Sequence, residues 1–198
     1  SVQNDATLSP ECADELAPIL YTGNLDAYQN LPLLERAIAH ARKSQPNLEW
    51  IVATSERECR FKGATHIQTP DYATLCELLS RDVVVACPRI SWSGYPIKLL
   101  NAMAAGRAVV ACTSAAYPIA DGVNGCVVPD DDPVAFGDAL VALATNAESR
   151  SALGGAAASA MRQHFNADRV GTALEQAISA AIAQSAHADD SRRVVSST

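Results

Sequence analysis

The sequence is short of basic charge, of long apolar runs and of paired cysteines, and each shortage excludes something. Fifteen Lys and Arg stand against 22 Asp and Glu, a net charge of −7 and a pI near 5.0. Such a surface repels a polyanion, so nucleic acid is not an expected partner, although a few local donors can still hold a small anion. No stretch approaches the roughly 18 apolar residues that cross a bilayer. The opening "SVQNDATLSPECADEL" lacks the basic and apolar regions of a secretory leader. No transmembrane segment or signal is therefore expected.

Six cysteines (Cys12, Cys59, Cys76, Cys87, Cys112 and Cys126) form no CxxC pair and no metal-ligand spacing with the four histidines. They read as small reduced core residues, which points to a cytoplasmic compartment and to no metal site.

The 198 residues, 48% hydrophobic and 19% charged, suit one domain that buries roughly 70% of the surface its unfolded chain exposes. Strand and helix patterns alternate, the order of a parallel sheet with crossover helices. "APILYTG" (17–23) reads as a strand ending in Gly, and "LPLLERAIAHARK" (31–43) as a helix with Leu34, Ile38 and Ala41 on one face. "LEWIVATS" (48–55) and "THIQT" (65–69) are the next strands. Pro70 and Asp71 then open the helix "YATLCELLSR".

"DVVVACP" (82–88) is a continuous β-branched run, as a central strand covered on both faces requires. A helix follows from about Pro96 to Ala105, stopped by Gly106. "RAVVACTS" (107–114) and "GCVVP" (125–129) complete about six strands. From Asp132 to about Gln184 the text is helical in two or three Ala-rich pieces, with breaks expected near Gly154, Gly155 and Asn166. Residues 1–16 read as a linker or disordered lead, 17–184 as the domain, and 185–198 as a disordered tail.

The expected fold is an open, doubly wound, Rossmann-like α/β sheet. Ligands of such sheets bind beyond the carboxyl ends of the strands, where strand order reverses. Two loops compete for that place: "TGNLDAYQN" after the first strand and "RISWSGYPIK" after the fourth. The second favours an anion. Gly94 permits close backbone approach, and a helix starting near Pro96 and Ile97 offers amides and a positive dipole end. Arg89 and Lys98 bracket that loop, while Ser93, Tyr95 and Asn101 offer hydrogen bonds. The competing account makes Tyr95 a packing residue, Lys98 a solvated one and Asn101 a loop cap.

"SGYPIKLLNAMAAGRAVVAC", "IADGVNGCVVPDDDPVAFGDALVAL" and "RSALGGAAASAMRQHF" together resemble the donor-binding C-terminal half of GT-B glycosyltransferases of retaining family 4. The likeness runs through most of residues 17–180, with "YTGNLDAYQNLPLL" where that family has its first strand and glycine turn. It implies binding of a nucleotide-diphosphate sugar and transfer of a hexose-type sugar with retention, without a required metal or other cofactor. It also implies an N-terminal GT-B domain as partner, carrying the acceptor site.

The departures from that family are specific. Two glutamates eight positions apart, directed at the donor sugar and the ribose, are here Ser93 and Asn101. An Arg after the first glycine and a Lys five residues beyond it, both directed at the diphosphate, are here Asn24 and Gln29, following Gly23. Losing two charge-assisted contacts at about 1.5 to 3 kcal/mol each weakens a donor roughly a hundredfold to several thousandfold or more. Arg89 and Lys98, the only cations between Arg81 and Arg107, are the expected replacements. The alternative is a degenerate GT-B domain kept as a scaffold or regulatory partner.

The resemblance places the base, UDP or GDP type, against backbone around Ile67 to Thr69. Trp92 has two readings, stacking on a ligand ring or packing against the absent half. Asp130, Asp131 and Asp132 read as a helix cap, and His40 and His164 as surface residues. A receiver-type signalling domain is disfavoured because no strand ends in an acidic cluster. Peripheral attachment to the inner membrane face would come only through the absent domain.

Overall fold

The computed structural model describes residues 16–91, 96–165 and 176. The chain divides into two compact units, residues 1–159 and 160–198. The first carries the sheet. The described part of the second is residues 160–164, the end of the helix Ala147–His164, with Phe165 and the exposed helical Gln176.

Six strands form one parallel sheet: β1 (Ile19–Thr22), β2 (Trp50–Thr54), β3 (Thr65–Gln68), β4 (Val84–Cys87), β5 (Ala108–Cys112) and β6 (Cys126–Val128). Their order across the sheet is β3-β2-β1-β4-β5-β6. This is the Rossmann order, and the reversal lies between β1 and β4, which pair through Ile19↔Val84 and Leu20↔Val85. The expected doubly wound sheet is present.

Strands β1, β2, β4 and β5 are buried throughout. Successive side chains alternate faces. Ile19, Tyr21, Trp50, Val52, Val84, Ala86, Ala108 and Val110 share one core with α1 (Leu31–Ala41) and α4 (Pro133–Thr145). α1 and α4 pack directly, and an added Cβ on Gly137 would lie 2.7 Å from the Ala37 carbonyl oxygen. His40 Nε2 meets Asp138 Oδ1 at 2.8 Å across the same contact.

α2 (Tyr72–Ser80) starts where the sequence places it: Asp71 caps it by accepting from the Thr74 amide at 2.9 Å. α3 (Ile97–Ala104) packs on β5. Its end is a Schellman turn, with Gly106 N–H bonded to Met103 O, Arg107 N–H to Ala102 O, and Gly106 at φ +70°.

The helical break falls at Asn146, between α4 and α5 (Ala147–His164), and not at Gly154 or Gly155, which lie inside α5. Asn146 accepts from the Ser149 amide at 2.9 Å and so caps α5. Gly154 serves packing instead: a Cβ there would lie 2.1 Å from Gly106 O. The expected break at Asn166, the ordering of residues 1–15 and the tail from 185 lie outside the described residues.

The repeated glycines and acids of "DGVNG" and "DDD" are local fasteners. Asp121 accepts from the Val127 amide, buried Asn124 from the Ala120 amide, and Gly122 takes φ +68°. Asp132 caps α4 through the Val134 and Ala135 amides. Asp130 instead accepts from the Ser114 amide at 3.0 Å and from its hydroxyl, tying the end of β6 to the end of β5. The described cysteines, Cys59, Cys76, Cys87, Cys112 and Cys126, are all free thiols.

Candidate functional site

Both loops singled out in the sequence leave carboxyl ends of strands at the reversal, one from β1 and one from β4. They meet rather than compete. A cleft of about 360 Å³ opens there, lined from the β1 loop by Thr22, Gly23 and Asn24, and from α3 by Lys98 and Asn101. Ser55, Thr69, Pro70, Asp71, Tyr72 and Leu75 close its other side. Its size is that of a small-ligand site.

Lys98 is the centre of the cleft's charge. Its Nζ donates to Tyr21 Oη at 3.2 Å and to Gln29 Oε1, and it lies 4.5 Å from the centroid of the Tyr21 ring. An added Cβ on Gly23 would sit 3.2 Å from that Nζ. Gly23 is required by its φ of +127°, and an added Cβ would also crowd the ammonium beside it.

Burial pulls the Lys98 ammonium down to about 8; the Cys87 thiol opposes that shift and the Arg89 charge adds to it. Burial pushes the Cys87 thiol up to about 11, with Lys98 acting in the other direction. Burial also raises the Tyr21 hydroxyl well above its ordinary range. Tyr21 therefore stays a donor, to Asn24 O at 2.5 Å.

The loop from 23 to 30 is fastened on several sides. The Leu25 amide donates to Glu56 Oε1 at 2.9 Å, and Asn30 Nδ2 reaches Pro88 O at 3.4 Å across the reversal. Asn24 Nδ2 donates to Asp26 Oδ2 at 2.5 Å and to Tyr28 Oη at 2.9 Å. Asn30 itself sits at φ 52° between the short 3-10 turn Ala27–Gln29 and α1.

Of the residues expected from sequence, Gly23, Asn24, Lys98 and Asn101 line the cleft, and Gln29 is buried directly behind it. Arg89 is 7% exposed; its Nε donates to Ser91 O at 2.6 Å and its guanidinium lies 5.3 Å from the Tyr28 ring centroid. Pro96 is buried at the start of α3, and Ile97 is exposed. Trp92, Ser93, Gly94 and Tyr95 lie outside the described residues.

Sequence reasoning passed over Thr22, Ser55, Asp71 and Tyr72 as cleft residues, and buried Tyr21 as a partner of Lys98. Thr22 ends β1 at the reversal and Ser55 follows the neighbouring β2, a signal the fold rule supplies once strand order is known. Tyr21 carries no such mark, since an aromatic in a strand reads as core. Asp71 reads as a cap, which it is, and Tyr72 is 65% exposed beside it.

A larger cavity, about 530 Å³, lies at the opposite end of the sheet, beside the amino ends of β4 and β5. The cations in it hold structure. Arg150, 6% exposed, donates to Leu143 O and Ala144 O at 2.9 Å each, closing the end of α4, and pairs with Asp82 at 2.6 Å. Arg107 Nη1 donates to Arg81 O at 2.8 Å.

Residues 17–146 match the family described as "Glycosyl transferases group 1". A phosphatidyl-myo-inositol mannosyltransferase of Mycobacterium leprae (strain TN) is 38% identical over 107 residues, 53% of this chain and 27% of that protein. The chain thus spans about a quarter of that curated relative. The C-terminal domain of the group 1 family protein LpcC from Francisella tularensis is similar at TM-score 0.65 and 19% identity, over 78% of this chain and 88% of that one. Anabaena Alr3699/HepE, solved in complex with UDP, gives TM-score 0.68 at 14% identity, over 83% and 49% of the two chains. Sucrose-phosphate synthase from Thermosynechococcus elongatus gives 0.70 at 17%, over 85% and 46%.

Proposed function

The chain belongs to the group 1 glycosyl transferases, with the Rossmann-like fold of a C-terminal GT-B domain, and from that premise we propose that its cleft binds a nucleotide-diphosphate-sugar donor. The observation that carries this is the Lys98 ammonium set against Gly23 at the reversal between β1 and β4. A backbone bare of Cβ beside a half-buried cation is what a diphosphate needs: close approach and charge-assisted hydrogen bonds.

In this reading Lys98 supplies the charge that Asn24 and Gln29 lack. Asn101, three positions further along α3 on the same wall, donates and accepts toward the ribose hydroxyls. The base lies toward Thr69 and Tyr72. The sugar is a hexose transferred with retention and without a required metal, to an acceptor held by an N-terminal domain. The chain alone is then a binding unit that does not turn over.

Calorimetric titration with UDP, GDP and ADP, without added metal, tests the reading. Saturable binding of one base over the others is expected, and Lys98→Met should weaken it about ten- to a hundredfold, the worth of one charge-assisted contact. Absence of binding at millimolar concentration would overturn it. That result would favour the scaffold reading, whose own support is the uncharged side chains at 24, 29, 93 and 101.

A further inference from the structure

Gln29 is 4% exposed and carries an amide whose two ends both need partners. Its Oε1 accepts from Lys98 Nζ, and its Nε2 donates to Asn24 Oδ1 at 2.7 Å. Asn24 Nδ2 in turn donates to the carboxylate of Asp26. The direction of every bond is forced. An ammonium only donates and a carboxylate only accepts, so each amide between them has one orientation. The series runs from cation to anion, Lys98 to Gln29 to Asn24 to Asp26.

We propose that Gln29 and Asn24 form a directed amide relay, ending on Asp26, that sets the Lys98 ammonium at Gly23, which makes Gln29 a positioning residue for diphosphate binding. The proposal rests on the donor-site reading above and goes beyond it. The two neutral residues are the holder of a cation that arrives from α3, 69 positions along the chain from Gln29. A second cation at 29 would then be harmful. It would face Lys98 at hydrogen-bond range, with no carboxylate between them. In a site that had merely lost its charge, the same substitution would restore binding.

The test is a set of affinities for UDP and GDP with wild type, Gln29→Lys, Lys98→Met and the double variant, each first checked for a cooperative thermal transition. Gln29→Lys is expected to weaken binding about tenfold or more, and Lys98→Met likewise. The double variant should recover to within a few fold of wild type, because one cation again faces Gly23. Tighter binding by Gln29→Lys in the presence of Lys98 overturns the proposal, and so does failure of the double variant to recover.

Because Gln29 is buried, a second measurement does not depend on the Lys variant folding. The Lys98 ammonium can be titrated by NMR in the ligand-free protein, where Tyr21, Cys87, Arg89 and Gln29 are the groups bearing on it. Gln29→Glu should raise its midpoint from about 8, since a carboxylate then faces the ammonium. An unmoved midpoint overturns the relay. If folded wild type binds no nucleoside diphosphate, the donor-site reading fails, and this midpoint alone still decides whether Gln29 holds Lys98.

Discussion

At the scale of single residues, Lys98 combines two demands that oppose each other. Withdrawal from water strengthens its attraction for an anion and also weakens its hold on a proton. With its midpoint near 8, the ammonium is fully charged at pH 6 and largely neutral at pH 9. Affinity for a nucleoside diphosphate should therefore fall as pH rises from 7 through 8, a range in which the ligand's terminal phosphate is already largely ionised, in titrations at constant ionic strength. The Lys98→Met variant should show no such fall over that range. The cation itself was visible in the sequence as one of two flanking the fourth-strand loop. Its partners were not, because Gln29 and Tyr21 reach it only through the β1–β4 adjacency, a pairing that no local pattern encodes.

At the scale of elements, strands and helix starts were legible, because periodicity and capping act over a few residues. Asp71 and Asp132 cap the helices that the sequence assigns to them. The end of α4 was misplaced because glycine has two meanings. In a helix it reads as a break, a cost of about 1 kcal/mol against Ala, yet Gly154 is where α5 meets the turn at Gly106. The two adjacent glycines separate these meanings. Gly154→Ala should destabilise by about 1 to 3 kcal/mol through overpacking. Gly155, exposed with nothing within 4 Å of an added Cβ, should gain up to about 1 kcal/mol as Ala. Urea denaturation of the pair measures both.

At the scale of the whole molecule, the acidic excess of −7 makes the few fixed cations count. Arg150 draws the Asp82 carboxyl below its ordinary value, through their hydrogen bonds and then its charge, with burial opposing. A carboxylate held below its unfolded value adds stability that is fully present above about pH 4 and lost as pH falls through the lower folded value. Wild type should therefore be more stable than Asp82→Asn at pH 7, and the two thermal midpoints should converge as pH falls from 4 toward 2.

The loop after β1 has a consequence for the work of binding. Asn24, Leu25, Gln29 and Asn30 are each tied to a different part of the fold: Tyr21, Glu56, Lys98 and Pro88. Ordering one residue of chain costs about 1 to 2 kcal/mol of conformational entropy, and for these residues that loss belongs to folding. A ligand arriving in the cleft meets a wall whose freedom is already gone, so little of its attraction is diverted into making the wall.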